Sequence, residues 1–240
     1  MDPAQVTISI IIPTLNEERY LRRTITHLLE SASCVDHLEL LVIDAGSKDN
    51  TLASISDLAI SVFSKPSFQF KKHESLNFGL KKATGDVVLF LDADTLLPED
   101  FDQLIVHELA DTQVIGGAFE MRFEEAVGKL FILSKLNQLR YHIWKTFYGD
   151  QAIFCKKEVA IKSGGFNNTL MEAAFFSRAI RKHGKLSIIS KPVLTSTRRF
   201  DQGGFWIVLW FDIRMWVRFI FGLPLTKQST SYWKENAKHG

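Results

Sequence analysis

Between residues 7 and 64, short continuous apolar runs alternate with stretches whose apolar residues recur every three or four positions. That is the pattern of buried parallel strands covered by amphipathic helices. ISIIIP at 8–13 predicts a buried strand stopped by Pro13. Leu21, Ile25, Leu28 and Leu29 then share one face of a helix for which Asn16 is a candidate cap. LELLVID at 38–44 predicts a second buried strand, with a polar exit loop over 45–50, and ISVF at 60–63 a third. Residues 73–83 read as a helix closed by Gly85, and VVLFLDAD at 87–94 as a fourth strand ending in two acids.

Beyond Pro98 the pattern changes. A helix over 99–110 precedes VIGGAFEMRF, in which Ala118, Glu120 and Arg122 alternate with Phe119, Met121 and Phe123, so a strand with unlike faces is expected. A long helix from about 127 to 147 follows, then a short strand at AIFC, a turn at Gly164 and Gly165, and a helix ending near Gly184. Strands are expected around 186–189 and 193–198. Neither an internal repeat nor a low-complexity linker interrupts this stretch, so residues 1–200 read as one domain. Residues 201–240 read as a separate aromatic-rich, amphipathic segment.

Within that segment, residues 203–225 (GGFWIVLWFDIRMWVRFIFGLPL) carry Asp212, Arg214 and Arg218 near the middle. Charges there make a membrane span costly. An amphipathic helix in a bilayer interface suits the sequence better, with Trp206, Trp210 and Trp216 at headgroup level and the arginines towards anionic lipid. A helix docked on the domain or on a second copy is the alternative.

Composition narrows the class. The 240 residues are 46% hydrophobic and 23% charged, with 6 prolines, which excludes disorder and fibrous repeats. The 29 basic residues nearly balance 27 acidic ones, so no nucleic-acid partner is expected. Cys34 and Cys155 lie far apart, outside any CxxC or Cys/His cluster, and read as core thiols of a reducing compartment. The first residues lack the basic region and small-residue site of a signal peptide, so a cytoplasmic protein is expected.

The chemistry concentrates where strands end, the ligand-binding edge of an open α/β sheet. Asp92 and Asp94 can both address one hard cation, which takes oxygen ligands and keeps positions for substrate phosphates. IPTLNE at 12–17 and VIDAGSKDNT at 42–51 bring an acid, an amide and hydroxyls to neighbouring strand ends, where a base and ribose could bind. Neither GxGxxG nor GxxxxGK[ST] occurs, which disfavours dinucleotide and P-loop sites.

IIPTLNEE, VIDAGSKDNT, LNFGLKKATGD and LFLDADT, in that order, resemble the nucleotide-sugar-binding half of family-2 glycosyltransferases of the GT-A fold. The likeness continues through GGAF, YGDQAIF, GGF and LME to about residue 200, and the ending through STRRF and the aromatic tail resembles a subgroup of small bacterial membrane-associated members. The resemblance implies an α/β fold with a mostly parallel nucleotide-binding sheet flanked by helices. It further implies transfer of a sugar from a nucleoside diphosphate donor, UDP- or GDP-linked, with inversion at the anomeric carbon. Pro13, Thr14, Asn16 and Glu17 match the first nucleotide-contacting motif, Asp44 the acid that contacts the base, and Asn77 and Gly79 the segment flanking the diphosphate. Asp92 would lie near ribose and metal, and Asp94 would ligate Mg or Mn.

One position departs from the family pattern. Relatives carry Glu-Asp after Leu-Met, with the aspartate as base, whereas this chain reads Leu170-Met171-Glu172-Ala173. Glu172 or Asp150 supplies the base, or none does; an acid in the first turn of a helix is also favoured by the macrodipole alone. Arg198 and Arg199 are candidates for the diphosphate or a lipid phosphate, or form a solvated basic patch. The leading reading is a metal-dependent inverting glycosyltransferase, peripheral on the inner membrane face and acting on a lipid-linked or hydrophobic acceptor. A noncatalytic nucleotide-sugar-binding protein or partner subunit is the alternative, and a nucleotidyltransferase a more distant one.

Overall fold

The computed structural model describes residues 6–124 and 128–225, apart from the side chains of Leu139 and Arg140. Its centre is one eight-stranded sheet in the order β3-β2-β1-β4-β7-β6-β8-β5. β1 (Ile8–Thr14), β2 (Leu38–Asp44), β3 (Ser61–Ser64) and β4 (Val87–Phe90) are mutually parallel, with Thr14 level with Asp44 and Asp44 with Ser64. β7 (Ile153–Lys156) runs antiparallel to β4 and to β6 (Val114–Phe123), and β8 (Lys185–Thr195) pairs parallel with β6.

The strands are apolar on both faces because both are covered. Ile8, Ile10 and Ile12 join one core cluster with residues of α1 (Leu21–Ser31) and α3 (Phe101–Leu109). Ile11, between them, points the other way into a cluster with α2 (Lys72–Lys82), α5 (Lys157–Lys162) and α6 (Glu172–Ile180). This period-two alternation of two buried faces is what a doubly covered sheet requires. In β6, Phe119, Met121 and Phe123 are buried while Arg122 is exposed, as the alternation in sequence implies.

Four local expectations change. The strand expected to run to residue 94 stops at Phe90, because the chain turns, with Thr95 N–H donating to the Asp92 carbonyl, and re-enters as β5 (Thr95–Leu96) against the end of β8. The two strands expected around 186–198 are the single β8, irregular opposite Phe119 and Glu120. Pro192 is tolerated at that irregularity, where regular pairing is already broken. Asn16 does not cap α1: its backbone is left-handed (φ 57°) and its side chain accepts from Lys48 N–H. Cys155 is buried, its thiol pushed up by burial, but Cys34 is only half-buried.

The long helix is α4 (Lys129–Trp144); the start expected at 127 lies outside the described residues. α7 (Arg198–Gly203) spans the boundary drawn after residue 200, and α8 (Phe205–Ile220) packs back on the domain. Met215 and Phe219 of α8 are buried with Met171 and Ala174, at the start of α6. Among the described residues, no helix is long and apolar enough to cross a membrane.

Candidate active site

The loops leaving β1 and β2 form one unit. Asn16 N–H donates to Ser47 Oγ, Glu17 N–H to Thr51 Oγ1 at 2.7 Å and Asn50 N–H to Glu18 Oε2. Asp44, buried at the end of β2, accepts from Gly46 N–H at 3.0 Å and from the backbone and hydroxyl of Ser47. Its carboxylate thus shapes the exit loop. The Thr14 hydroxyl is buried at the end of β1 with no hydrogen-bond partner among the described residues, and Pro13 beside it is half-buried. An orphaned hydroxyl on the ligand-binding edge is the kind of group that a bound polar molecule satisfies.

Asp92 and Asp94 sit in the turn between β4 and β5, each with one cationic partner. Lys72 Nζ, on the first residue of α2, is 2.6 Å from Asp92 Oδ1. Burial works against the Lys72 charge, but Asp92 and Glu172 outweigh it and raise its pKa. Asp94 Oδ2 accepts from Ser196 Oγ at 2.9 Å and from Arg198 Nε at 3.0 Å. The same guanidinium grips both oxygens of Glu17, at 2.5 and 2.7 Å, and lies 5.0 Å from the centre of the Tyr20 ring. Burial raises Glu17 even against Arg198, as do the negative charges of Asp94 and Asp92. The antiparallel pairing of Thr95 with Thr195 brings these distant segments together.

A narrow cavity lies beside this cluster, walled by Lys72, Asp92, Gly149, Phe166, Glu172 and Ala173, among others. Glu172 opens α6 and is only 7% exposed; burial pushes its carboxyl up to about 7 against the pull of Lys72. A carboxylate held near neutrality in a cavity is poised for proton transfer. Gly149 packs so closely that a Cβ there would stand 3.2 Å from Lys72 Nζ and 3.3 Å from Asp92 Oδ2. Asp150 follows it in the turn Gly149–Gln151 and is not part of the cavity wall.

The remaining sequence candidates have partners within the protein. Asn77 accepts from Phe166 N–H and donates to Phe166 C=O, both at 2.8 Å, clamping the Gly164–Gly165 turn onto α2. Gly79 is buried where α2 crosses Ile11, so close that no Cβ fits. Arg199 pairs with Asp212 of α8. Sequence reasoning misses Lys72, Ser196 and Tyr20. A lysine at a helix start, against the macrodipole, is the available sign for Lys72.

Residues 9–173 match the Glycosyl transferase family 2. The chain belongs to that family. A glycosyltransferase of Nostoc described as uncharacterized is 36% identical over 113 residues, 45% of this chain and 34% of that protein. A Methanococcus voltae dolichyl N-acetyl-α-D-glucosaminyl phosphate 3-β-D-2,3-diacetamido-2,3-dideoxy-β-D-glucuronosyltransferase is 31% identical over 183 residues, 73% of this chain and 54% of that protein. The chain thus spans between a third and about half of these relatives' length. Among solved structures, the Pyrobaculum calidifontis mannosyltransferase bound to GDP-mannose and Mn2+ superposes with a TM-score of 0.64 at 24% identity, covering 81% of this chain and 58% of that one. This family-2 chain therefore has the GT-A fold.

Proposed function

We propose that this chain transfers a sugar from a nucleoside diphosphate donor to a lipid-linked or hydrophobic acceptor, with inversion and with Mg or Mn. The observation that carries the reading is Glu172, a buried carboxylate held near neutrality beside the Asp92–Lys72 pair at the sheet's ligand-binding edge.

The donor set fits the metal. Asp92 and Asp94 offer hard oxygens two residues apart, and no cluster of three or more metal-binding side chains occurs among the described residues. A small divalent cation bound jointly by one or two carboxylates and substrate phosphates needs no fuller cage. When bound, the ion supplies charge neutralisation for the departing diphosphate.

The chain's own residues do the rest. Pro13, Thr14, Asn16, Glu17 and Asp44 shape the zipped loops that receive the base and ribose. Lys72 and Arg198 are the cations within reach of a diphosphate held at Asp92 and Asp94. Glu172 takes the proton from the acceptor hydroxyl as its oxygen attacks the anomeric carbon and the diphosphate leaves from the opposite face. The Methanococcus relative is named for a dolichyl-phosphate-linked acceptor and the Pyrobaculum structure contains GDP-mannose with Mn2+, which supports the acceptor and donor classes. A peripheral site on the inner membrane face, through the aromatic α8, belongs to the same proposal.

The noncatalytic alternative rests on Ala173, which stands where relatives carry the aspartate; Glu172 on the same cavity wall argues against it. A panel of UDP- and GDP-sugars, incubated with the full chain and Mg or Mn, decides between them. Metal-dependent release of free sugar from a preferred donor is expected. Nucleotide binding without release or transfer from any donor would establish the binding module.

A further inference from the structure

α4 and α8, both on the outside of the domain, touch through side chains at two points. Near their starts, Lys129 Nζ stands 5.0 Å from the centre of the Trp206 ring and 5.7 Å from that of Phe205. Nearer their ends, Trp144 and Trp216 meet edge to face at 5.4 Å. On α4, Ser134 and Tyr141 face the domain, and Ile132, Leu136 and Ile143 occupy the opposite, exposed side. On α8, Val208, Met215 and Phe219 face the domain, and Trp206, Trp210, Ile213, Val217 and Ile220 recur four and three positions apart on the exposed side. At 3.6 residues per turn each set falls on one stripe. Two adjacent exposed stripes of this size are an interaction surface, not scattered surface residues.

We propose that α4 and α8 together are the docking surface of this protein for an anionic lipid bilayer, a proposal that rests on the membrane-peripheral reading above and extends it from the tail to a helix inside the domain. Charge decides the occupant. α4 carries Lys129 and Lys135 and no acid; α8 carries Arg214 and Arg218, and its one acid, Asp212, is paired with Arg199. A second copy docking through the same face would set this basic rim against itself, which like-charge repulsion opposes. Anionic headgroups complement it, and tryptophans at the boundary of an apolar stripe suit the headgroup level. Because Met215 and Phe219 pack on Met171 and Ala174, a bilayer on this surface lies one helix away from Glu172.

Flotation of the full chain with phosphatidylcholine vesicles, with and without phosphatidylglycerol, tests this. The variants are Ile132→Ser with Leu136→Ser on α4, and Trp206→Ser with Trp210→Ser on α8; thermal unfolding checks that each folds. Wild type is expected to float with the anionic vesicles only, and each double variant to lose roughly tenfold or more of that partition. Wild-type flotation that the α4 variant leaves unchanged would overturn the two-helix surface and leave only the tail reading. Failure of wild type to float would overturn both. Self-association of wild type without flotation, abolished by the α4 variant, would assign the face to a second copy and overturn the proposal.

Discussion

Glu172 carries two opposite consequences of one shift. Its carboxyl is raised from an ordinary value near 4.5 to about 7, so between those values the folded chain binds more protons at this group than the unfolded chain. Its contribution to stability is therefore full below about 4.5 and falls as pH rises through 7. With Glu172 as the proposed base, activity runs the other way, since a base must be deprotonated. kcat/KM is expected to rise with pH on a limb near 7, and urea unfolding of Glu172→Gln is expected to lose that segment of pH dependence. A flat kcat/KM profile between pH 5 and 8 would contradict the assignment. Asp94 makes a separate claim: Asp94→Asn should weaken Mg-dependent binding of the nucleoside diphosphate at least about tenfold, roughly 1.4 kcal/mol, in calorimetry. Asp92 and Asp94 are legible in sequence because a buried run ending in acids is a local pattern. The contacts of Arg198 with Asp94 and Glu17 are not, and Lys72 hardly shows at all, because only tertiary pairing brings Arg198 to Asp94 and Lys72 to Asp92.

At the level of elements, the site depends on what holds the loop before α6. Asn77 bonds both backbone groups of Phe166, and Gly165, at φ +69°, lies directly against the Asn77 side chain. Asn77→Ala leaves those backbone groups short of partners and should cost about 1–3 kcal/mol in urea unfolding. Gly165→Ala should cost about as much, since a Cβ there meets Asn77 and a positive φ is strained for alanine. The strands β1 and β2 are readable almost residue for residue, because a short, nearly continuous apolar run bounded by polar residues fits a strand covered on both sides. The turn at Asp92 and the fused β8 are not, because the first depends on the pairing of Thr95 with Thr195 and the second on the pairing of β8 with β6. The bonds from Asn77 to Phe166 are not legible either, because they join residues far apart in sequence.

For the whole molecule, α8 ties the tail to the start of α6. Phe219 is buried, meets Phe175 edge to face at 4.9 Å and lies under the Arg178 guanidinium at 4.0 Å. Phe219→Ala should therefore destabilise the domain by about 3–5 kcal/mol, seen as a lower urea midpoint, whereas the outward Trp210→Ser should leave that midpoint nearly unchanged. The aromatic pattern of the tail is plain in sequence; its attachment beside Glu172 is not, since nothing local links residue 215 to residue 171. The central claim is that Glu172 is the base of an inverting transfer at this site. Its most direct test measures product formation by wild type and Glu172→Gln with matched donor and acceptor, alongside nucleotide affinity by calorimetry. Glu172→Gln is expected to lose transfer with affinity nearly intact; full activity in that variant would show that Glu172 is not the base.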